Sequence, residues 1–236
     1  MSNGLNTKMV PQWVAEGIEA AFEEWLEMSG EWLKTAPEYH LTVRVAQRLR
    51  EAIPISKRML LMEPGVASIL EEAGGVQRGR NAKKLRAGGR FDIVLGHGNG
   101  LPRTIIELKS PAWHPMGKSA KSDLHRICRA LLQGAASTQL YSGILALYTS
   151  SATPKAKDPS AKVRLLRKWI KEWRPALQSW KWALSDQHRY RRLLNINVGA
   201  KVHELSKGNE THAWAAVCVQ ITRKSKAKRR APSSFR

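Results

Sequence analysis

The chain has 236 residues with 40 Lys and Arg against 19 Asp and Glu, giving a formal net charge of +21 and an isoelectric point of about 10.5. That excess calls for a polyanionic partner, while 42% hydrophobic residues and nine tryptophans exclude a disordered basic protein, since a folded chain of this size buries roughly 70 to 75% of its unfolded surface. Two cysteines, Cys128 and Cys218, 90 residues apart, exclude a disulfide scaffold and a Cys-x-x-Cys zinc site; the opening residues and the longest apolar runs are too short for a signal peptide or a membrane span, so a soluble cytoplasmic protein with no membrane partner is expected.

Trp13, Val14, Ile18, Ala21, Phe22, Trp25, Leu26 and Trp32 recur at helical spacing opposite a cluster of glutamates, and Pro37 ends the pattern. A second helix is expected from Pro37, with Leu41, Val45, Leu49 and Ile53 facing the core and Pro54 closing it. Glu38, three and seven residues before Leu41 and Val45, projects from that otherwise apolar face. A short strand over Met59 to Met62 and a helical stretch ending at Gly74-Gly75 follow, then a glycine-rich basic loop from Gln77 to Gly89.

Two strand-like runs, Arg90 to Leu95 and Arg103 to Lys109, joined through Gly96-His-Gly-Asn-Gly-Leu-Pro102, predict an antiparallel hairpin. A helix is expected from about Ser122, with Leu124, Ile127, Cys128, Leu131 and Leu132 inward and His125, Arg126, Arg129 and Gln133 outward. Tyr141 to Thr149 reads as a buried strand, Pro154 to Ser160 as a loop, Lys162 to about Trp182 as a basic helix, and Trp214 to Thr222 as a late strand. Trp169, Trp173 and Trp180 have the spacing of a core-facing stripe; stacking on bases is the alternative. The division is a helix over 1–36, a core over 37–222 that includes a basic, tryptophan-rich helical region near 162–194, and a disordered basic tail over 223–236 with Arg223, Lys224, Lys226, Lys228, Arg229 and Arg230.

The placement of acids narrows the chemistry. From residue 73 to 157 there are fourteen Lys and Arg and only three acids, Asp92, Glu107 and Asp123. Glu107 and Lys109 share one face of their strand, and Asp92 can lie across from them. Desolvated carboxylates in a half-buried sheet cost several kcal/mol unless a cation sits between them. Two such oxygen ligands with water suit Mg²⁺ or Mn²⁺. An ion there lowers the pKa of a bound water, and Lys109 stabilises charge on a phosphodiester. The bland alternative is salt-bridged strand-end residues. Glu38 is either a further ligand or a glutamate favoured by the helix dipole, and Asp123 reads as a residue of a helix N-terminus. Arg90 either contacts a phosphate or pairs with Asp92. Neither the seven histidines nor any glycine-rich motif supports zinc or ATP chemistry; His97 and His114 read as surface-loop histidines, with approach to a scissile phosphate as the alternative.

Asp92, fourteen intervening residues and then Glu107-x-Lys109, with Gly89-Arg-x-Asp92 ahead of an apolar strand, resembles the PD-(D/E)XK nuclease superfamily over roughly residues 37 to 150. No proline precedes Asp92, and the Gln-x-x-x-Tyr signature of one branch is replaced by a nearby Gln139-Leu-Tyr141. The resemblance implies an α/β fold with a central mixed β-sheet flanked by helices and a restriction-endonuclease-like core. It further implies a Mg²⁺-dependent deoxyribonuclease with Asp92 and Glu107 as ligands, Lys109 assisting the attack, Glu38 as the helix acid, and the helix of Asp123 packed beside the site. Arg90, Lys118, Lys121, Arg126 and the six tail bases are then candidates for contact with DNA or RNA. A non-catalytic nucleic-acid-binding module of the same fold, or an RNA- or ribosome-associated basic protein, are the other readings, and self-association is compatible with all three.

Overall fold

The computed structural model describes residues 6–74, 85, 88–111, 117–133, 139–150, 159–207 and 210–224. The fold is α/β. Six strands, β1 (Met59–Met62), β2 (Ile93–Gly96), β3 (Pro102–Lys109), β4 (Ser142–Ser150), β5 (Leu194–Lys207) and β6 (Glu210–Arg223), form one sheet in the order β1-β2-β3-β4-β6-β5. β3 and β4 are parallel and every other neighbouring pair is antiparallel. A parallel pair needs a crossover, and a helix, named α4 below, supplies it.

Alternation along the strands divides the core into two layers. Ile93, Leu95, Ile106, Leu108, Ile144, Ala146 and Tyr148 pack against α1 (Val10–Ser29) and α2 (Glu38–Ala52), whose inward stripes are Val14, Ile18, Phe22 and Leu41, Val45, Leu49. Val94, Ile105, Leu145 and Leu147 face α3 (Val66–Glu72), α4 (Lys118–Leu132) and α5 (Pro159–Gln178). A 3₁₀ segment over Lys181–Asp186 and the short α6 (Gln187–Leu193) extend this second layer. β4 is buried along its whole length, as the central strand of a covered sheet should be. Close seating uses glycine twice. A Cβ on Gly17 would stand 2.6 Å from the Val45 Cα, so α1 and α2 touch backbone to backbone. A Cβ on Gly143 would stand 2.3 Å from the Ile127 Cγ2, so α4 lies tight on β4.

Several expectations change. α1 is not a separate unit: it shares one core with α2 and the sheet. α4 begins at Lys118 rather than near Ser122, because its first turn is polar and carries no apolar signal. The basic helical region divides into α5, the 3₁₀ segment and α6, with Trp173, Trp180 and Trp182 buried and Trp169 packed against the same core. The expected tail starts inside the fold, since Arg223 pairs with Leu194 across β6 and β5, and the Lys224 N–H donates to the Leu193 carbonyl at 2.9 Å. β5 was not foreseen at all. Of the loop expected at 154–160, residues 154–158 fall outside the described residues and the last two open α5, while most of the glycine-rich segment at 77–89 also falls outside. Among the described residues no helix is long and apolar enough to cross a membrane.

Candidate active site

The candidate residues gather where β3 ends. The β2–β3 register runs from Gly96↔Pro102 to Ile93↔Ile106, so one step further places Asp92 across from Glu107. The chain before β2 is irregular but paired: Glu63 N–H donates to the Asp92 carbonyl at 2.9 Å and Phe91 N–H to the Pro64 carbonyl at 3.1 Å. Asp92 Oδ2 then accepts the Leu108 N–H at 2.6 Å, which fixes its carboxylate at the end of the β2–β3 ladder. Parallel pairing of Lys109 with Leu147 puts the cluster at the carboxyl ends of β3 and β4, where crossover connections leave a crevice.

Glu107 is fully buried and faces α4. Its Oε2 lies 2.5 Å from Arg126 Nη2, and its Oε1 has no hydrogen-bond partner among the described residues. Burial therefore pushes the Glu107 pKa well above the carboxylate range. Arg126 opposes that shift, while Asp92 and Asp123 reinforce it. Burial raises Asp92 as well, with the Leu108 N–H, Lys109 and Arg126 opposing. Two carboxyls within each other's field, both resisting ionisation, are a local deficit of positive charge.

Lys109 has a different balance. Burial works to lower its pKa, but Asp123, Glu38 and Asp92 outweigh it and hold the ammonium above the ordinary lysine value. Its Nζ lies 3.2 Å from Glu38 Oε1 and 3.4 Å from Asp123 Oδ2. The cation is thus strung between α2, on one face of the sheet, and α4, on the other. It stays protonated, which suits a charge stabiliser and not a general base.

The structure brings together Asp92, Glu107, Lys109 and Glu38, the last largely exposed at the start of α2. It adds two residues that the sequence reading placed elsewhere. Asp123 is buried in the second turn of α4, within 3.3 Å of Arg126, and is no helix-terminal residue. Arg126, expected on the outward face as a nucleic-acid contact, is buried against Glu107 with its guanidinium over the Phe91 ring at 5.6 Å. An acid and a base three apart, each beside the apolar stripe, were the available signal.

Other candidates lie apart. Arg90 is exposed and pairs with Glu63 at 3.2 Å, not with Asp92. His97 sits in the β2–β3 turn at the other end of β3, roughly 20 Å from Lys109 at 3.3 Å per residue. Lys118 is exposed and Lys121 half-buried at the start of α4. Arg223 Nη1 donates to the Leu140 carbonyl at 3.4 Å and Lys224 Nζ to the Arg191 carbonyl at 2.8 Å, both at the amino end of β4. His114, Lys226, Lys228, Arg229 and Arg230 are outside the described residues.

A divalent ion fits part of this arrangement. The partnerless Oε1 of Glu107 and the neighbouring Asp92 carboxylate supply hard ligands, and burial resists ionisation of both groups. Among the described residues no group of three His, Cys, Asp or Glu is arranged to hold a metal ion, so the protein would offer two carboxylates and leave the other positions to water or substrate. No family model, curated protein or solved structure matches this chain.

Proposed function

We propose that the chain is a Mg²⁺- or Mn²⁺-dependent deoxyribonuclease, most simply an endonuclease, of the PD-(D/E)XK type. The observation that carries this reading is the convergence of Asp92, Glu107, Lys109 and Glu38, from three separate elements, at the carboxyl end of β3. The order α2, β1, α3, β2, β3, α4, β4 supports it, because apart from α3, inserted between β1 and β2, a helix, three strands, a crossover helix and a parallel strand span the stretch where the resemblance lies. The net charge of +21 suits a polyphosphate substrate.

In this reading Asp92 and Glu107 hold the ion, with Glu38 as a further ligand or water-orienting group. When bound, the ion supplies Lewis acidity toward the phosphodiester and lowers the pKa of water. The Leu108 N–H and the opening of the β2–β3 ladder hold Asp92 in place. Lys109, kept charged by Glu38 and Asp123, offers its ammonium to negative charge growing on the phosphate. Asp123 and Arg126 hold Lys109 and Glu107 from the α4 side.

Glu107→Ala removes a ligand and a charge that repels phosphate, so cleavage of supercoiled DNA in Mg²⁺ should collapse while affinity for DNA holds or rises. Lys109→Ala should lower the cleavage rate by a factor of about 10² or more, with little loss of binding. Full metal-dependent activity in either variant places the active site elsewhere. The Arg126 guanidinium on Glu107 favours a second reading, a binding module whose carboxylate is neutralised internally. Wild-type protein that binds DNA and never cuts it, in Mg²⁺ or Mn²⁺, would decide for that module.

A further inference from the structure

The exposed face of α6 is built from cations. His188, Arg189, Arg191 and Arg192 line a shallow concavity of about 620 Å³, with no acid in its lining. All four side chains are exposed. Arginines in a last helical turn have an ordinary explanation, which is to meet the final carbonyls and the negative end of the dipole. Here those carbonyls are already engaged: Lys224 Nζ donates to the Arg191 carbonyl at 2.8 Å and the Lys224 N–H to the Leu193 carbonyl at 2.9 Å. Lys224 therefore brings a further ammonium to the same place, and in sequence Lys226, Lys228, Arg229 and Arg230 follow it. The neighbouring acid, Asp186, is taken by Arg129 at 2.8 Å.

α4 joins this patch to the candidate active site. Asp123, near its start, touches Lys109, and the Leu132 carbonyl at its end accepts from Arg189 Nη2 at 3.4 Å. The nine residue steps from Asp123 to Leu132 span about 14 Å of helix axis. Lys118 and Lys121 stand at the site end of the same helix.

We propose that Arg189, Arg191 and Arg192 form a second phosphate-binding site, which grips the flank of a DNA duplex running along α4. The direction of that duplex rests on the nuclease reading, which places the scissile phosphate at Lys109. Exposed, spread arginines suit a chain of phosphates better than a small anion, which needs convergent buried donors. About 14 Å corresponds to roughly four base pairs at 3.4 Å each. Substrates that extend at least that far from the cut should bind more tightly than shorter ones.

The test is the salt dependence of duplex binding in EDTA by the wild-type chain and by Arg191→Gln/Arg192→Gln, with thermal unfolding as the check on folding. Loss of two phosphate contacts should make the slope of log K against log salt shallower by up to about 1.8, from roughly 0.9 per contact. In Mg²⁺ the variant should show a higher KM and an unchanged kcat, and its deficit should vanish on duplexes trimmed to fewer than about four base pairs on one side of the cut. If the double variant unfolds early, Arg192→Gln alone should give a change of about 0.9. An unchanged slope overturns the proposal. A single strand that shows the same change in slope overturns the duplex geometry. A slope change without cleavage by either protein leaves the patch standing and removes the nuclease reading, while cleavage with unchanged slope does the reverse.

Discussion

Glu107 is the residue on which most of the proposed chemistry turns, and its environment makes a prediction that needs no substrate. Its folded pKa lies above its unfolded value because burial outweighs Arg126. A folded carboxyl that holds its proton more tightly than the unfolded one contributes stability below the unfolded pKa and loses it as pH rises through the folded one. Metal-free protein should therefore lose stability from about pH 4.5 upward relative to Glu107→Gln, which keeps the shape and does not ionise. Asp92 is shifted the same way but is present in both proteins, so its contribution cancels from the comparison. Thermal unfolding of both proteins in chelator across the acid and neutral range checks it. A gap in Tm that stays constant with pH would mean that Glu107 ionises as freely in the fold as outside it.

At the level of elements, α4 carries Asp123 and Arg126 to the cluster, and Gly143 sets how close it lies. Gly143→Ala would drive a methyl into Ile127, a β-branched side chain with little room to turn, with Ile105 Cγ1 3.3 Å away. Overpacking of this kind costs about 1–3 kcal/mol. The same shift moves Asp123 away from Lys109, so kcat should fall by about 10-fold or more while the DNA affinity set by exposed bases stays the same. Normal activity in a destabilised Gly143→Ala protein would show that α4 and the cluster are uncoupled. The sequence reading found α1 and α2 because their apolar residues keep a helical period, and β1 and the hairpin because short apolar runs, β-branched in the hairpin, are bounded by turn residues. It singled out Asp92 and Glu107 because acids are scarce in that basic stretch, Lys109 because it shares a strand face with Glu107, and Glu38 because it interrupts an apolar helix face. It missed β5, where Leu194, Ile196 and Val198 alternate with asparagines, because an edge strand with one polar side resembles a loop after a basic helix. It misplaced Asp123 and Arg126 because a buried ion pair is compensated in three dimensions by residues far apart in the chain, and periodicity alone assigns charge to water.

Across the whole molecule, the charges are segregated by layer. The layer of α1 and α2 contains most of the acids of residues 1–51, which number eight against five bases, whereas α4, α5 and α6 on the other face are dominated by Lys and Arg. The field of this distribution would steer a polyanion to the α4–α6 side, and the carboxylate cluster lies at the end of the sheet where the two layers meet. Glu38 comes from one layer, Asp123 from the other, and Asp92 and Glu107 from the sheet between them. An ion held by Asp92 and Glu107 forms only in the folded state, so it should stabilise the entire fold by RT ln(1 + [L]/Kd), about 1.4 kcal/mol when the ion stands tenfold above its Kd. For a domain of this size each kcal/mol raises Tm by about 2–4 °C, so Mg²⁺ should raise it by about 3–6 °C. Glu107→Gln and Asp92→Asn should abolish that rise even though Mg²⁺ still screens the rest of the surface. Equal shifts in wild type and both variants would mean that the ion acts only as a screening salt, and the cluster would then be an internally neutralised ion-pair network in a nucleic-acid-binding protein.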